Sequence, residues 1–261
     1  MTMTQTDKAE AFARLHEQAH PFVIANVFDG GTARLMAELG FKALATSSWI
    51  QANMINKQDG ESTRTDAMAH SQNIVDACDL PVSADLGNGF GASPEDVITT
   101  INAAAGVGLV GCSIEDSTGD ANKPVFELEH AVERIEAAVD AAAKLPFKFT
   151  LTARSENYMN EIADLDDTIK RLQAFESAGA DVLMAPGLPD LDAVRTVCNS
   201  VTKPVNFMAG IPGKAYPVSE LDKVGVTRIS LATSLYEVAL NAIYGAASEI
   251  KDKGTFGFIN G

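Results

Sequence analysis

The chain has 261 residues, of which 46% are hydrophobic and 21% charged, with a formal net charge of −15. That length holds one large α/β domain or two small ones. The negative field argues against nucleic acid or an anionic membrane as partner, and an anionic ligand would need a local positive centre such as a metal ion or an arginine. No run approaches the roughly 18 uncharged apolar residues of a membrane span. The opening segment, MTMTQTDKAEAF, lacks the basic region and apolar core of a secretory signal. Cys78, Cys112 and Cys198 are an odd, widely spaced set that suits reduced thiols. The expectation is a cytoplasmic protein.

Residues 1–20 read as an N-terminal helical extension and 248–261 as a C-terminal tail, around a single domain spanning 1–261. Within it, short apolar runs alternate with longer segments of helical period. The runs are 22–26, 42–47, 81–85, 109–114, 148–153, 181–185, 204–208 and 227–231. Their near-continuous apolar character suits parallel strands covered on both faces. Ser93-Pro94 opens a helix with a capping hydroxyl and a proline in the first turn, and Val97, Ile98, Ile101 and Ala105 share its face. Leu128, Val132, Ile135 and Val139 mark the next helix. Leu165, Ile169, Leu172 and Phe175 follow, with Gly179 at the C-terminal cap. A short helix is expected at 218–223. Ser234 and Glu237 are spaced as a capping box for a last helix with Leu235, Val238, Ala242 and Ala246 on one face. Eight strands, each followed by helix, predict a (β/α)8 barrel. The competing doubly wound sheet would show a Gly-rich dinucleotide fingerprint after the first strand, and none is present.

Active sites of such barrels lie at the C-terminal strand ends, which here carry Asn26, Asp29, Ser47, Ser48, Asp85, Glu115, Asp116, Arg154, Glu156, Asn206, Thr233 and Ser234. Carboxylates from strands three and four thus meet a guanidinium from strand five. Hard carboxylate oxygens suit Mg2+ or Mn2+, and the planar arginine fork suits a substrate carboxylate. A structural ring of salt bridges would use the same residue types. The stretch Asp85–Gly91 is a glycine-rich turn that can bring backbone amides to a ligand. His16, His20, His70 and His130 fall away from strand ends, and Lys42, Lys148 and Lys203 fall at strand starts, which disfavours a Schiff-base mechanism.

From about Pro21 to Ala247 the chain resembles the isocitrate lyase/phosphoenolpyruvate mutase superfamily. The likeness rests on Phe22–Asn26 with Phe28-Asp29-Gly30, Gly40–Ser48 with Asp59-Gly60, Pro81–Asp85 with Gly89-Phe90-Gly91, and Ile114-Glu115-Asp116. Thr152-Ala153-Arg154, Gly179-Ala180-Asp181, Asn206 with Ala209-Gly210, and Gly225–Ser230 complete it in order. The resemblance implies a Mg2+-dependent enzyme that makes or breaks a C–C or P–C bond in a small 2-oxo acid or phosphonate through an enolate. It implies Asp85 and Glu115 at the metal, with Asp85, Arg154 and Asn206 at the substrate. It gives Ser47 and Ser48 as oxyanion contacts and Asp59 near the reacting carbon or metal waters. It also implies a homo-oligomer, a dimer or tetramer, with exchange of the last helices. Three departures stand out. Ser117–Phe126 lacks the Cys and His of the lyase branch, Gly87 or Asn88 stands where many relatives carry a second acid, and Ser83 stands two before Asp85 where the mutase branch can have another Asp. A catalytically silent barrel that binds a dicarboxylate or keto acid is the alternative.

Overall fold

The computed structural model describes residues 3–260; Met1 and Thr2 of the expected extension and Gly261 of the expected tail lie outside them. Eight parallel strands close into a barrel in chain order: β1 (Phe22–Asn26), β2 (Leu44–Ala45), β3 (Val82–Asp85), β4 (Gly111–Glu115), β5 (Thr150–Arg154), β6 (Val182–Met184), β7 (Val205–Met208) and β8 (Arg228–Ser230). β1 pairs with both β2 and β8, which completes the ring. β2 is shorter than the run 42–47 suggests, because the chain leaves the ladder after Thr46 and Ser47 caps a helix.

The ten α-helices among the described residues are α1 (Gln5–Leu15), α2 (Gly30–Glu38), α3 (Ser48–Met54), α4 (Arg64–Val75), α5 (Pro94–Gly106), α6 (Leu128–Ala143), α7 (Leu165–Ser177), α8 (Leu191–Ser200), α9 (Val218–Lys223) and α10 (Ser234–Lys253). Alternation along each strand divides labour. Leu44, Val82, Ala84, Cys112, Ile114, Leu151, Leu183 and Phe207 face the helices and form the main core with residues such as Ile101, Leu172 and Phe175. The alternate residues face the barrel axis, and these are the ones that carry charge.

α5 starts as expected, with Ser93 as cap, Pro94 in the first turn and Asp96 completing the capping box. Gly179, with φ +102°, follows the end of α7, a left-handed conformation that glycine adopts without a Cβ clash. The buried stripe of α6 centres on Ala131, Arg134, Ile135 and Ala138 rather than on Leu128, Val132 and Val139.

Three expectations at the C-terminus differ from the structure. Thr233, not Ser234, occupies the cap of α10 and makes no capping bond; Ser234 donates instead to the Leu231 carbonyl at 2.7 Å. Of the face with Leu235, Val238, Ala242 and Ala246, only Leu235 packs on the main core, and no residue of α10 is fully buried. The helix also runs through Lys253, past the expected start of the tail at 248, and Glu249 then binds the Thr255 hydroxyl at 2.7 Å and the Gly257 amide at 2.6 Å.

α1 caps the bottom of the barrel. Ala9, Phe12 and Leu15 form a second core with Phe22, Ile24, Ala43, Ala45 and Val110. Gln5 Nε2 secures the helix by donating to the Ala105 and Leu109 carbonyls at 2.8 and 2.9 Å.

Candidate active site

A cavity of about 500 Å3 opens at the C-terminal ends of the strands, and a second of about 710 Å3 adjoins it. Thr46, Ser48, Asp59 and Asp85 border both. Ser47, Arg154 and Asn206 line the first, and Glu115 and Gly87 line the second. The structure therefore brings Ser47, Ser48, Asp59, Asp85, Glu115, Arg154 and Asn206 to one mouth, whereas Asp29, Asp116, Glu156 and Ser234 line neither cavity and Asp29 caps α2. Asp85, the last residue of β3, divides the two compartments.

Asp85 is tightly held. Its backbone amide donates to the Thr46 hydroxyl at 3.0 Å. Its Oδ2 accepts from the Ser48 amide and hydroxyl at 3.2 and 3.1 Å, and its Oδ1 accepts from the Ser113 hydroxyl at 3.2 Å. Ser48 is thus bound to the carboxylate, and Ser47 Oγ accepts from the Ile50 amide at 3.4 Å as the cap of α3. Of the two hydroxyls expected as oxyanion contacts, that of Ser48 donates to Asp85, whereas Ser47 Oγ only accepts and keeps its O–H. Asn206 is also committed: its Oδ1 accepts from Arg228 Nε at 2.7 Å and its Nδ2 donates to Ser230 Oγ at 3.0 Å.

Arg154 ends β5 directly opposite Glu115 in the ladder. Its Nε and Nη2 are gripped by the Glu156 carboxylate, with Nη2 at 3.1 Å from Oε2. Nε lies 3.6 Å from Glu115, and Nη1 lies 3.8 Å from Asp85. One edge of the fork is therefore filled by Glu156, and the Nη1 side turns toward Asp85. Glu156 was visible in the sequence only as a strand-end acid; its hold on Arg154, two residues away, depends on how the chain turns after β5. That turn is fixed from below. Asp116, which is 2% exposed, accepts from the Glu156 amide at 2.8 Å and from Arg171 Nη1 at 3.1 Å. Burial raises the Asp116 carboxyl to about 6 against the pull of those two partners.

Charge at the mouth is unbalanced: Asp59, Asp85, Glu115 and Glu156 surround the single guanidinium of Arg154. Burial, with the neighbouring acids, pushes the Glu115 carboxyl well above its ordinary range, although Arg154 opposes this. Burial and then Asp85 likewise raise Asp59. For Arg154, burial pulls the guanidinium down, but Glu156, Glu115 and Asp85 outweigh it and hold it above its usual value. Gln51 Nε2 and Ser62 Oγ, on the wall of the second cavity, are buried without a partner.

The segment after β4 turns back on itself. Ser117 bridges Val125, and the Thr118 amide donates to the Pro124 carbonyl at 2.9 Å. Lys123 lies 3.2 Å from Glu127 and lines neither cavity. His16 stacks edge-on with Phe12 and Phe22, and His130 bonds to the Ala92 carbonyl, both away from the cavities; His70 lines the second cavity and bonds to the Phe28 carbonyl.

The chain is thus a closed (β/α)8 barrel whose mouth gathers acids around the Arg154 guanidinium, the place where barrel enzymes carry their active sites. Residues 12–251 match the phosphoenolpyruvate phosphomutase family, and the chain belongs to that family and is an enzyme of that kind. The 2-methylisocitrate lyase of Escherichia coli (strain K12) is 30% identical over 258 residues, which is 95% of this chain and 84% of the relative. A crystal structure of a Burkholderia cenocepacia J2315 protein provisionally described as a lyase/mutase is 48% identical, with a TM-score of 0.95 over 98% of this chain and 92% of the other. 2,3-Dimethylmalate lyase is 26% identical with a TM-score of 0.87, over 98% of this chain and 90% of the other.

Proposed function

We propose that this chain is a divalent-metal-dependent enzyme that makes or breaks a C–C or P–C bond in a small 2-oxo acid, or its phosphonate counterpart, through an enolate. The observation that carries this reading is the convergence of Asp85, Glu115 and Arg154, with Asp59, on adjoining cavities at the barrel mouth. Family membership and the named lyase relatives support it.

The residues present fit a hard cation. Three buried or half-buried carboxylates, Asp85, Glu115 and Glu156, with exposed Asp59 beside them, outnumber one guanidinium, and burying such charge unpaired is costly. Among the described residues no group of three or more His, Cys, Asp or Glu side chains forms a complete ligand cage. Mg2+ rarely asks for one, because one or two carboxylates, waters and substrate oxygens complete its shell. A Cβ built at Gly87 would meet nothing within 4 Å, so space, not a second acid, lies beside Asp85. Asp85 and Glu115 would hold Mg2+ or Mn2+, which when bound supplies a Lewis acid for the substrate's carbonyl oxygen. Arg154 would hold the substrate carboxylate through Nη1, with Glu156 fixing its plane. Asp59, next to Asp85, would border the reacting carbon. With the Ser48 hydroxyl given to Asp85, oxyanion contacts would come from the Ser47 hydroxyl, which donates to no protein group, and from backbone amides around it.

One observation favours a second reading, a binding barrel without turnover: the segment after β4 carries neither Cys nor His, and its Lys123 pairs with Glu127. A panel of oxaloacetate, phosphonopyruvate, methylisocitrate and malate derivatives separates the two. Mg2+-dependent turnover lost in Asp85→Ala supports the enzyme; oxalate binding without turnover of any compound supports the binder.

We also propose that α10 docks on another copy of the chain. Val238, Leu240, Ile243 and Tyr244 stand exposed on a helix that its own barrel does not cover, followed by exposed Phe256, Phe258 and Ile259. Large exposed apolar patches mark interfaces. Among the described residues no helix is long and apolar enough to cross a membrane.

A further inference from the structure

The interior of a (β/α)8 barrel is normally filled by layers of bulky branched side chains. Here the inward positions Ala45, Ser83, Ser113 and Ser230 are small, and the first cavity reaches past them to Ile24 and Arg228. Phe12 and His16 of α1 close it from below: a Cβ at Gly111 would lie 3.1 Å from the Phe12 ring, and His16 reaches Arg228. The result is a closed-ended shaft along the barrel axis with a guanidinium in its floor.

Arg228 is 5% exposed and sits at the start of β8, where a packing residue would normally stand. Nε donates to Asn206 Oδ1 at 2.7 Å, Nη2 donates to Thr152 Oγ1 at 2.9 Å, and Nη1 lies 3.3 Å from His16 Nε2. All three partners are uncharged at neutral pH, since burial and then Arg228 itself push His16 down to about 3. No carboxylate among the described residues lies within ion-pairing distance of Arg228. A guanidinium has five N–H donors, so the three contacts leave two for a ligand. The other buried arginines differ: Arg154 and Arg171 are paired with acids, and Arg134 donates to the Glu115, Asn88 and Gly91 carbonyls outside the first cavity. Burying a charge without an opposite charge is expensive, and burial lowers Arg228 only to about 9, still cationic at neutral pH. A floor with a purely structural task would need no charge.

We propose that Arg228 binds the distal carboxylate of a 2-oxo diacid that lies along the barrel axis, its 2-oxo acid end at Arg154 and its far end in the shaft. This deepens the keto-acid reading above and rests on it. Asn206 is then a positioning residue, holding Nε of Arg228 while its other end is fixed by Ser230.

The test compares ligands of equal length with and without a distal carboxylate. Calorimetry in Mg2+ would measure 2-oxoglutarate against 2-oxopentanoate, 2-oxoadipate against 2-oxohexanoate, and oxalate as a short probe that cannot reach the floor. One diacid should bind at least about tenfold more tightly than its partner, as a charge-assisted hydrogen bond supplies. Arg228→Gln should erase that preference and leave oxalate binding unchanged. Oxalate binding with no diacid preference in the wild type overturns the proposal, and so does a preference that survives in Arg228→Gln. The wild-type ligand pairs decide the matter if that variant does not fold. Failure of oxalate to bind while an Arg228-dependent diacid preference persists sinks the keto-acid reading and leaves the floor site standing. No binding of any probe overturns both.

Discussion

The rim and the floor of the same cavity carry opposite imbalances of charge. At the rim, Asp59, Asp85, Glu115 and Glu156 share one guanidinium. At the floor, Arg228 is surrounded by Thr152, Asn206 and His16 and has no acid. Each imbalance costs stability in the folded chain, and each is relieved by a ligand of the other sign: a divalent cation above, an anion below. Two arginines buried to similar depth therefore have different duties. Arg154 holds a carboxylate cluster together, and Arg228 holds a charge in reserve.

The sharpest way to break this contrast is to remove the two guanidinium groups separately. Arg154→Met leaves the rim acids facing one another, and loss of one member of a buried charge cluster costs about 3–5 kcal/mol. Denaturant titration should show that loss, together with the disappearance of any turnover. Mg2+ should next stabilise the wild type, by about 2.7 kcal/mol at a hundredfold excess over its dissociation constant. Thermal unfolding of Asp85→Asn and Glu115→Gln should show little of this gain. An absence of Mg2+ stabilisation in the wild type would count against the rim as a cation site. Arg228→Met should cost less than Arg154→Met, about 1–3 kcal/mol, because it strands only neutral acceptors. An equal or larger loss would mean that the floor arginine is structural.

pH probes the floor from its other side. His16 titrates near 3 in the folded chain against an ordinary 6.5, so the unfolded chain binds the extra proton between those values. Stability from this group is complete above pH 6.5 and is lost as pH falls from 6.5 toward 3, at up to about 1.4 kcal/mol per pH unit. His16→Gln should flatten that part of the stability profile, leaving a smaller contribution from His70, which burial also lowers. The smallest stability effect is expected outside the cavity. Ile243→Glu on the exposed face of α10 should change monomer stability by no more than about 0.5 kcal/mol and yet shift sedimentation toward smaller species if that face docks on a second copy.

Much of the rim could be read along the chain. Strand ends are local features, so Asp85, Glu115 and Arg154 could be placed at one mouth once eight apolar runs had been counted, and the ladder sets Glu115 beside Arg154 as that reading requires. The motif order carried the family as well. The engagement of each side chain was not legible in the same way. Nothing in the run Arg154-Ser155-Glu156 says that the acid folds back onto the arginine, and nothing near β2 says that the Ser48 hydroxyl is given to Asp85. Arg228 begins a strand, and strand beginnings face the closed end of the barrel, so no strand-end pattern points to it. The clue was a charged residue on an inward position, but it has meaning only beside Ala45, Ser83 and Ser113, which come from other strands.

The sequence by itself determined the barrel, the order of its strands and the residues at its mouth, because apolar period and strand ends are properties of short stretches of chain. The tertiary structure alone decided that Glu156 occupies one edge of Arg154, that small residues from several strands leave a shaft ending at Arg228, and that α10 leaves its apolar face bare. Each of these depends on side chains distant in sequence meeting, or failing to meet, in space, and no local pattern specifies that.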